Sequence, residues 1–257
     1  MKEEIIKVLK EIEKEQDITI LYSCELGSRT WGLEHTFSDY DVHFIFKRNQ
    51  IKDYLRLDGD KEDTIIKQNV QGKFDFLGWD IKKILSLHYD NNPEIREWLI
   101  SDVVYIEMDK KYFEGLPEFD PSALKKNYTE IVNCDLKRKH RGQKDRKLKR
   151  RLYDIRCILC WMVIDKGLSP KLKIVDLIEQ VESKEKLEEK LKDHILRMIK
   201  DHKSETDTIK KGNLQFIDKW INSSFNMMVE ENKKLTIIKK DKEIYNKRFF
   251  EIVTDKI

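Results

Sequence analysis

Gly27-Ser28-Arg29-Thr30-Trp31-Gly32 and, six residues on, Ser38-Asp39-Tyr40-Asp41-Val42-His43-Phe44-Ile45-Phe46 form the stretch that decides the fold. Its second half alternates acidic or polar residues with apolar ones up to the basic stop Lys47-Arg48, the pattern of a strand with one wet end. Before its first half, Ile18-Thr19-Ile20-Leu21-Tyr22 is a β-favouring run that ends at Gly27. Residues two apart on a strand share a face, so Asp39 and Asp41 are expected side by side with Cα atoms roughly 6.5 to 7 Å apart. Catalytic metal pairs sit about 3.5 to 4 Å apart, a spacing two such carboxylates can serve. Like charges this close repel, and divalent cations compensate them. Mg²⁺, or Mn²⁺ in its place, is the expected ion, since it takes a few carboxylates and fills its shell with water and phosphate oxygens. Gly27-Ser28 is expected to open a helix over Arg29 to Leu33. Glycine allows close backbone approach to a phosphate, free amides at a helix start attract anions, and the Ser28 hydroxyl and Arg29 add donors. His43 shares the face of the two aspartates and either lines the site or sits partly buried as a structural histidine.

Working outward, Ile5, Val8, Leu9 and Ile12 recur at helical spacing, which predicts an amphipathic helix on the sheet. Beyond the stretch, Thr64 to Val70 and Lys73 to Leu77 read as paired strands around Gln71-Gly72. Asp80 begins a helix with Ile81, Ile84, Leu85 and His88 on one face. Asn92-Pro93 begins another, through Trp98-Leu99, with Asn as cap and Pro at the first helical position. Val103 to Ile106 suits an extra strand. Leu116 to Pro121 holds two of the four prolines and marks the boundary, with Asp120 capping a helix that opens at Pro121. Everything after it reads helical, with Gly167-Leu168-Ser169-Pro170 between two helices and a charged helix over Ser183 to Lys203. The expected architecture is α+β: a small mixed-sheet module with flanking helices over residues 1–116, then a helical module over 117–257.

Composition narrows the class. A chain of 257 residues, 39% hydrophobic and 39% charged, can bury a core under a dense charged surface. No run approaches the roughly 20 apolar residues of a membrane helix, and MKEEIIKVLK lacks the apolar centre of a secretion signal, so a cytoplasmic location without membrane attachment is expected. Cys157 and Cys160 lie in a hydrophobic helical run with no second ligand pair nearby, and packed core thiols are expected there. Lys137 to Arg156 holds eleven Lys and Arg against Asp145 and Asp154, a local charge of +9 in a chain of net charge +3, which leaves −6 for the rest. Attraction to a polyanion is therefore local. Within that segment Lys149, Tyr153 and Arg156 fall at i, i+4 and i+7, one helical stripe that suits a triphosphate or base and equally suits a solvated basic face.

Gly27-Ser28-Arg29-x-x-Gly32 followed by Ser38-Asp39-x-Asp41 resembles the signature of the polymerase-beta-like nucleotidyltransferase superfamily. Gly78-Trp79-Asp80-Ile81-Lys82-Lys83, Asn92-Pro93, Glu97-Trp98-Leu99 and Lys149-x-x-x-Tyr153-x-x-Arg156 are similar to the YcgL-like predicted nucleotidyltransferases, also called the RNA repair pathway DNA polymerase beta family. Glu34-His35-Thr36 departs from the small, turn-favouring residues of that pattern. The resemblance implies that Gly27, Ser28, Arg29 and Ser38 bind a nucleoside triphosphate, with Lys149, Tyr153 and Arg156 contributing from the helical module. It also implies a third catalytic and metal-binding carboxylate beside Asp39 and Asp41, for which Asp75, flanked by Phe74 and Phe76, is the first choice and Asp80 the second. The reaction it implies is transfer of a nucleoside monophosphate to an acceptor hydroxyl with release of pyrophosphate. RNA is the first-choice acceptor, ahead of a protein side chain or a small molecule.

Overall fold

The computed structural model describes residues 1–57, 61–140, 148–204 and 211–256. The chain divides into two compact units: residues 1–30, 38–119 and 239–257 form one, and 31–37 with 120–238 form the other. The sequence reading puts the boundary at 116/117, and the main division between the units lies at 119/120. The units also exchange segments: 31–37 belongs with the helices, and the last stretch of the chain belongs with the sheet.

The first unit is built on a five-stranded mixed sheet. Its strands are β1 (Ile18–Leu26), β2 (Tyr40–Arg48), β3 (Thr64–Val70), β4 (Phe74–Asp80) and β5 (Val104–Ile106), in the order β3-β4-β2-β1-β5. β2 and β4 run parallel and every other pairing is antiparallel. Alternation along β2 sorts its side chains. Val42, Phe44 and Phe46 join Ile18, Ile20, Phe74 and Phe76 on one face, which α1 (Lys2–Gln16) covers with Ile5, Val8, Leu9 and Ile12. Asp17 stops α1 in the left-handed conformation, its N–H bonded to Glu13 O.

On the opposite face Tyr22, Cys24, Leu26 and Ile45 pack against α2 (Ile81–Tyr89), α3 (Pro93–Leu99) and the C-terminal α9 (Lys242–Val253). Asp80 caps α2 through the Lys82 N–H (2.8 Å), and Asn92 caps α3 through the Glu94 N–H (2.8 Å) with Pro93 at the first position. Tyr245 of α9 meets the buried His88 Nδ1 at 2.9 Å, and Lys240 donates to the His88 carbonyl at 2.9 Å. These bonds tie the end of the chain to α2. Gly78 has no freedom to carry a side chain: it lies opposite Phe44 on β2, and a Cβ there would stand 2.2 Å from the phenyl ring.

The second unit is helical: α4 (Pro121–His140), α5 (Leu148–Asp165), α6 (Ile174–Glu182), α7 (Glu189–Lys203) and α8 (Lys211–Asn232). Asp120 caps α4 through the Ala123 N–H at 3.0 Å. α5 is its buried centre, with Leu152, Ile155, Ile158, Leu159 and Val163 at or near zero exposure. Cys157 and Cys160 are fully buried in the core. The helix expected over Ser183 to Lys203 begins six residues later, at Glu189. The last carbonyls of α6 take the amides of Ser183, Lys184 and Glu185, and those bonds turn the chain before α7 can open.

Candidate active site

Asp41 and Asp75 are Cα partners in the parallel pairing of β2 with β4. In-register neighbours on adjacent strands point the same way, so the two carboxylates stand side by side at the wet end of the sheet, on strands about 4.8 Å apart. They occupy the face that further along carries His43 and Leu77, then Ile45 and Trp79. Leu26 pairs with Asp41 from the other side, which brings Gly27, the next residue, against the Asp41 carboxylate. Gly27 has φ +97°, and a Cβ there would lie 2.2 Å from Asp41 Oδ2 and 2.9 Å from its Cγ. Only a glycine lets the turn and this carboxylate approach so closely. Gly27, Asp41 and Asp75 are thus brought together.

Asp39 is placed differently from the expectation. The side-by-side arrangement with Asp41 requires both residues to lie in the strand, but β2 begins at Tyr40, and Asp39 is exposed in the link before it, next to the half-buried Ser38. Among the described residues no three His, Cys, Asp or Glu side chains are gathered as a metal-holding group. What stands assembled is the pair. Its donor set is carboxylate oxygen only, which fits a hard divalent cation.

The helix expected over Arg29 to Leu33 is a succession of turns. Gly27 and Gly32, at φ +97° and +73°, take the backbone out of the helical region at both ends, and Thr30 Oγ1 donates back to the Gly27 carbonyl at 3.1 Å. The backbone after Gly27 is therefore a turn and not a helix start, and Ser28 within it is buried. Arg29 turns to the other face of the sheet. Its Nε lies 2.7 Å from Glu25 Oε1, and its guanidinium sits 4.2 Å above the Tyr40 ring. Glu25 is buried and also accepts from Tyr105 Oη. Burial pushes its carboxyl pKa up, while the Tyr105 bond and the Arg29 charge pull it down. Glu25 pairs with Val42 on β2, so this cluster lies on the α1 side, across the sheet from Asp41.

The two acids of β4 have separate surroundings. Asp80, at the end of β4 remote from Asp75, is buried, caps α2 and accepts from Tyr54 Oη at 3.0 Å. Asp75 accepts the Asn69 backbone N–H at 2.7 Å through Oδ1. His43 is half-buried one rung deeper than Asp41, edge-on to Trp98 with ring centroids 4.7 Å apart, and burial lowers its pKa to about 4. It stands neutral at pH 7.

The remaining sequence candidates lie in the helical unit. Lys149 is exposed. Tyr153 packs its ring on Trp31 at 5.4 Å, and the buried Arg156 sits 4.9 Å from the same ring and donates from Nε to the Leu172 carbonyl at 3.0 Å. Both clasp the 31–37 segment, which Ile174 N→Trp31 O (3.2 Å) and the Lys203–Glu34 ion pair (3.0 Å) also fasten. Within the basic segment Arg150 pairs with Asp135, and Arg151 pairs with Asp218 through two bonds of 2.9 Å. Some of its charge is therefore used internally, while residues 141–147 lie outside the described residues.

Sequence reading passed over Glu94, a first-turn acid of α3 that reads as an ordinary helix-start residue. Burial, and then the neighbouring Glu97 carboxylate, raises its pKa to about 7. A carboxyl whose pKa rises on folding favours the folded state while protonated, so its contribution is full below the unfolded value near 4.5 and is lost as pH rises through about 7. Glu94→Gln is expected to flatten the fall in melting temperature between pH 5 and 8, on the order of 2 kcal/mol by the size of the shift. Parallel melting curves for variant and wild type across that range would contradict it.

The RNA repair pathway DNA polymerase beta family matches residues 1–250. The chain is 30% identical over 249 residues to an uncharacterized protein, YcgL of Bacillus subtilis (strain 168), over 94% of this chain and 92% of that one. A solved structure of a nucleotidyltransferase-like protein from Exiguobacterium sibiricum 255-15 is similar over 99% of this chain and 80% of its own, at 10% identity and a TM-score of 0.32.

Proposed function

The chain belongs to the RNA repair pathway DNA polymerase beta family and is therefore a nucleotidyltransferase; from that premise we propose that it transfers a nucleoside monophosphate from a nucleoside triphosphate to a hydroxyl of RNA, with Asp39, Asp41 and Asp75 as its carboxylates. The observation that carries this reading is the in-register pair of Asp41 and Asp75, with Gly27 pressed against Asp41. The turn amides from Gly27 onward, with Ser28 and Ser38, receive the triphosphate. Arg29, held by Glu25 and Tyr40, fixes the turn from behind.

In the reaction the acceptor oxygen attacks the α-phosphorus in line, and the bond from that phosphorus to the oxygen bridging it to the β-phosphorus breaks, so that pyrophosphate leaves. Asp75 takes the proton of the attacking hydroxyl. A Mg²⁺ or Mn²⁺ ion bound by Asp41 and Asp75, with Asp39 joining from the link before β2, would supply charge neutralisation for the triphosphate. Lys149 is the member of the helical stripe assigned to polyanion contact, since it is the exposed one. Among the described residues no helix is long and apolar enough to cross a membrane, and a cytoplasmic location is part of the same reading.

Incubation with each α-labelled nucleoside triphosphate, Mg²⁺ and a panel of tRNA, nicked RNA and proteins tests the acceptor. Label on RNA is expected. Label on protein and never on RNA would end the RNA reading and leave nucleotidyl transfer standing.

A further inference from the structure

We propose that Asn69 is the positioning residue for Asp75, acting through its backbone amide; the proposal rests on the reading of Asp75 as a catalytic carboxylate. The pairing of β3 with β4 slips at one place. Lys67 faces Phe76 and Val70 faces Phe74, so Gln68 and Asn69 together stand opposite Asp75 alone. Two residues against one is a β-bulge, a device that bends a strand and re-aims what it faces. Here the bulge is centred on the candidate acid.

Its consequence is visible at Asn69. The residue adopts φ +53°, a left-handed conformation open to Gly and Asn and strongly disfavoured for β-branched residues. In that conformation its N–H points at Asp75 Oδ1, 2.7 Å away. The Asn69 carbonyl accepts from Gly72 N at 3.1 Å, and Lys73 N bonds Val70 O at 3.2 Å, so the turn that follows holds the bulge in place. Gln71 and Gly72 also have positive φ, at +53° and +73°. A charge-assisted bond to one carboxylate oxygen fixes the rotation of the group and directs its second oxygen. Asp41, the Cα partner of Asp75 on β2, lies on the side opposite this bond. The bulge on β3 therefore pins Asp75 from the edge of the sheet, while its neighbour on β2 supplies the other half of the pair.

The proposal distinguishes the backbone from the side chain. Asn69→Gly keeps both the N–H and the positive φ, whereas Asn69→Val keeps the N–H but cannot hold it in place. Asn69→Ala lies between them and secures the test should the valine variant fail to fold. Two readouts are needed: kcat and KM for label transfer from the nucleoside triphosphate, and Mn²⁺ binding by the nucleotide-free protein, followed by electron paramagnetic resonance. Asn69→Val is expected to lower kcat and Mn²⁺ affinity by roughly 10- to 100-fold, as loss of a group that orients a ligand usually does, with little change in KM. Asn69→Ala should fall part of the way, and Asn69→Gly should match wild type in both. Loss in the glycine variant equal to that in valine, or wild-type kcat and Mn²⁺ binding in valine and alanine, would overturn the proposal. Asp75→Asn serves as the reference. If it abolishes transfer while Asn69→Val does not, the positioning role is wrong and the catalytic one stands; if Asp75→Asn is fully active, both fall together.

Discussion

Gly27→Ala is expected to lose transfer activity by about 100-fold or more while the protein still folds. The methyl group it adds would stand 2.2 Å from Asp41 Oδ2, well inside van der Waals contact. Asp41 and the turn cannot both stay where they are. Backbone conformation adds to the effect, since φ +97° is strained for any residue with a Cβ. The strain is local to the end of β1 and should cost about 1 to 3 kcal/mol of stability. The core on both faces of the sheet is untouched, so the melting temperature should fall by a few degrees while kcat/KM collapses. Equal kcat/KM in variant and wild type would mean that the contact between the turn and Asp41 has no part in the reaction.

Asp41→Asn and Asp75→Asn should move stability and activity in opposite directions. Each replacement keeps the shape and removes one of two like charges on adjacent strands, whose repulsion at about 5 Å is on the order of 1 kcal/mol in a largely aqueous setting. Without metal, each variant is expected to melt at or slightly above the wild-type temperature. Transfer should drop by roughly three orders of magnitude, the scale on which charge-stabilising groups act in phosphoryl chemistry. Added Mn²⁺ should raise the melting temperature of the wild type and leave that of the double variant unchanged, since only a group that binds the folded state shifts its melting. Destabilisation of the metal-free protein by Asp41→Asn would show the carboxylates to be structural.

Much of the sheet was legible because its signals are local. Alternation along Asp41 to Phe46 marks the faces of β2, Asn92-Pro93 marks the start of α3, and the apolar flanks of Asp75 put it on the face of β4 opposite Phe74 and Phe76. Asp80 was readable as a cap for the same reason: its partner is the amide two residues on. What was not legible depends on partners distant in sequence. Arg29 reads as a phosphate ligand until the β1–β2 register places Glu25 and Tyr40 across the sheet from Asp41, where they hold it. Arg156 reads as a nucleotide contact on the Lys149–Tyr153–Arg156 stripe, yet it lies buried against Trp31. The return of Lys239–Ile257 to the first unit rests on Tyr245, Ile252 and Lys240 finding α2 and the residues around it. No short-range pattern in the tail encodes that. The bulge at Asn69 escaped for a related reason, since Gln-Asn-Val-Gln-Gly announces a turn but not which amide will face which acid.

The fate of the two ends of the nucleotide tests nucleotidyl transfer most directly. With purified protein, Mg²⁺ and an accepted RNA, triphosphate labelled at the α-phosphorus should transfer its label to the acceptor, while label at the γ-phosphorus should appear only in pyrophosphate, and the Asp41→Asn, Asp75→Asn double variant should do neither. Transfer of the γ-label to the acceptor, or undiminished α-label transfer by the double variant, would contradict it.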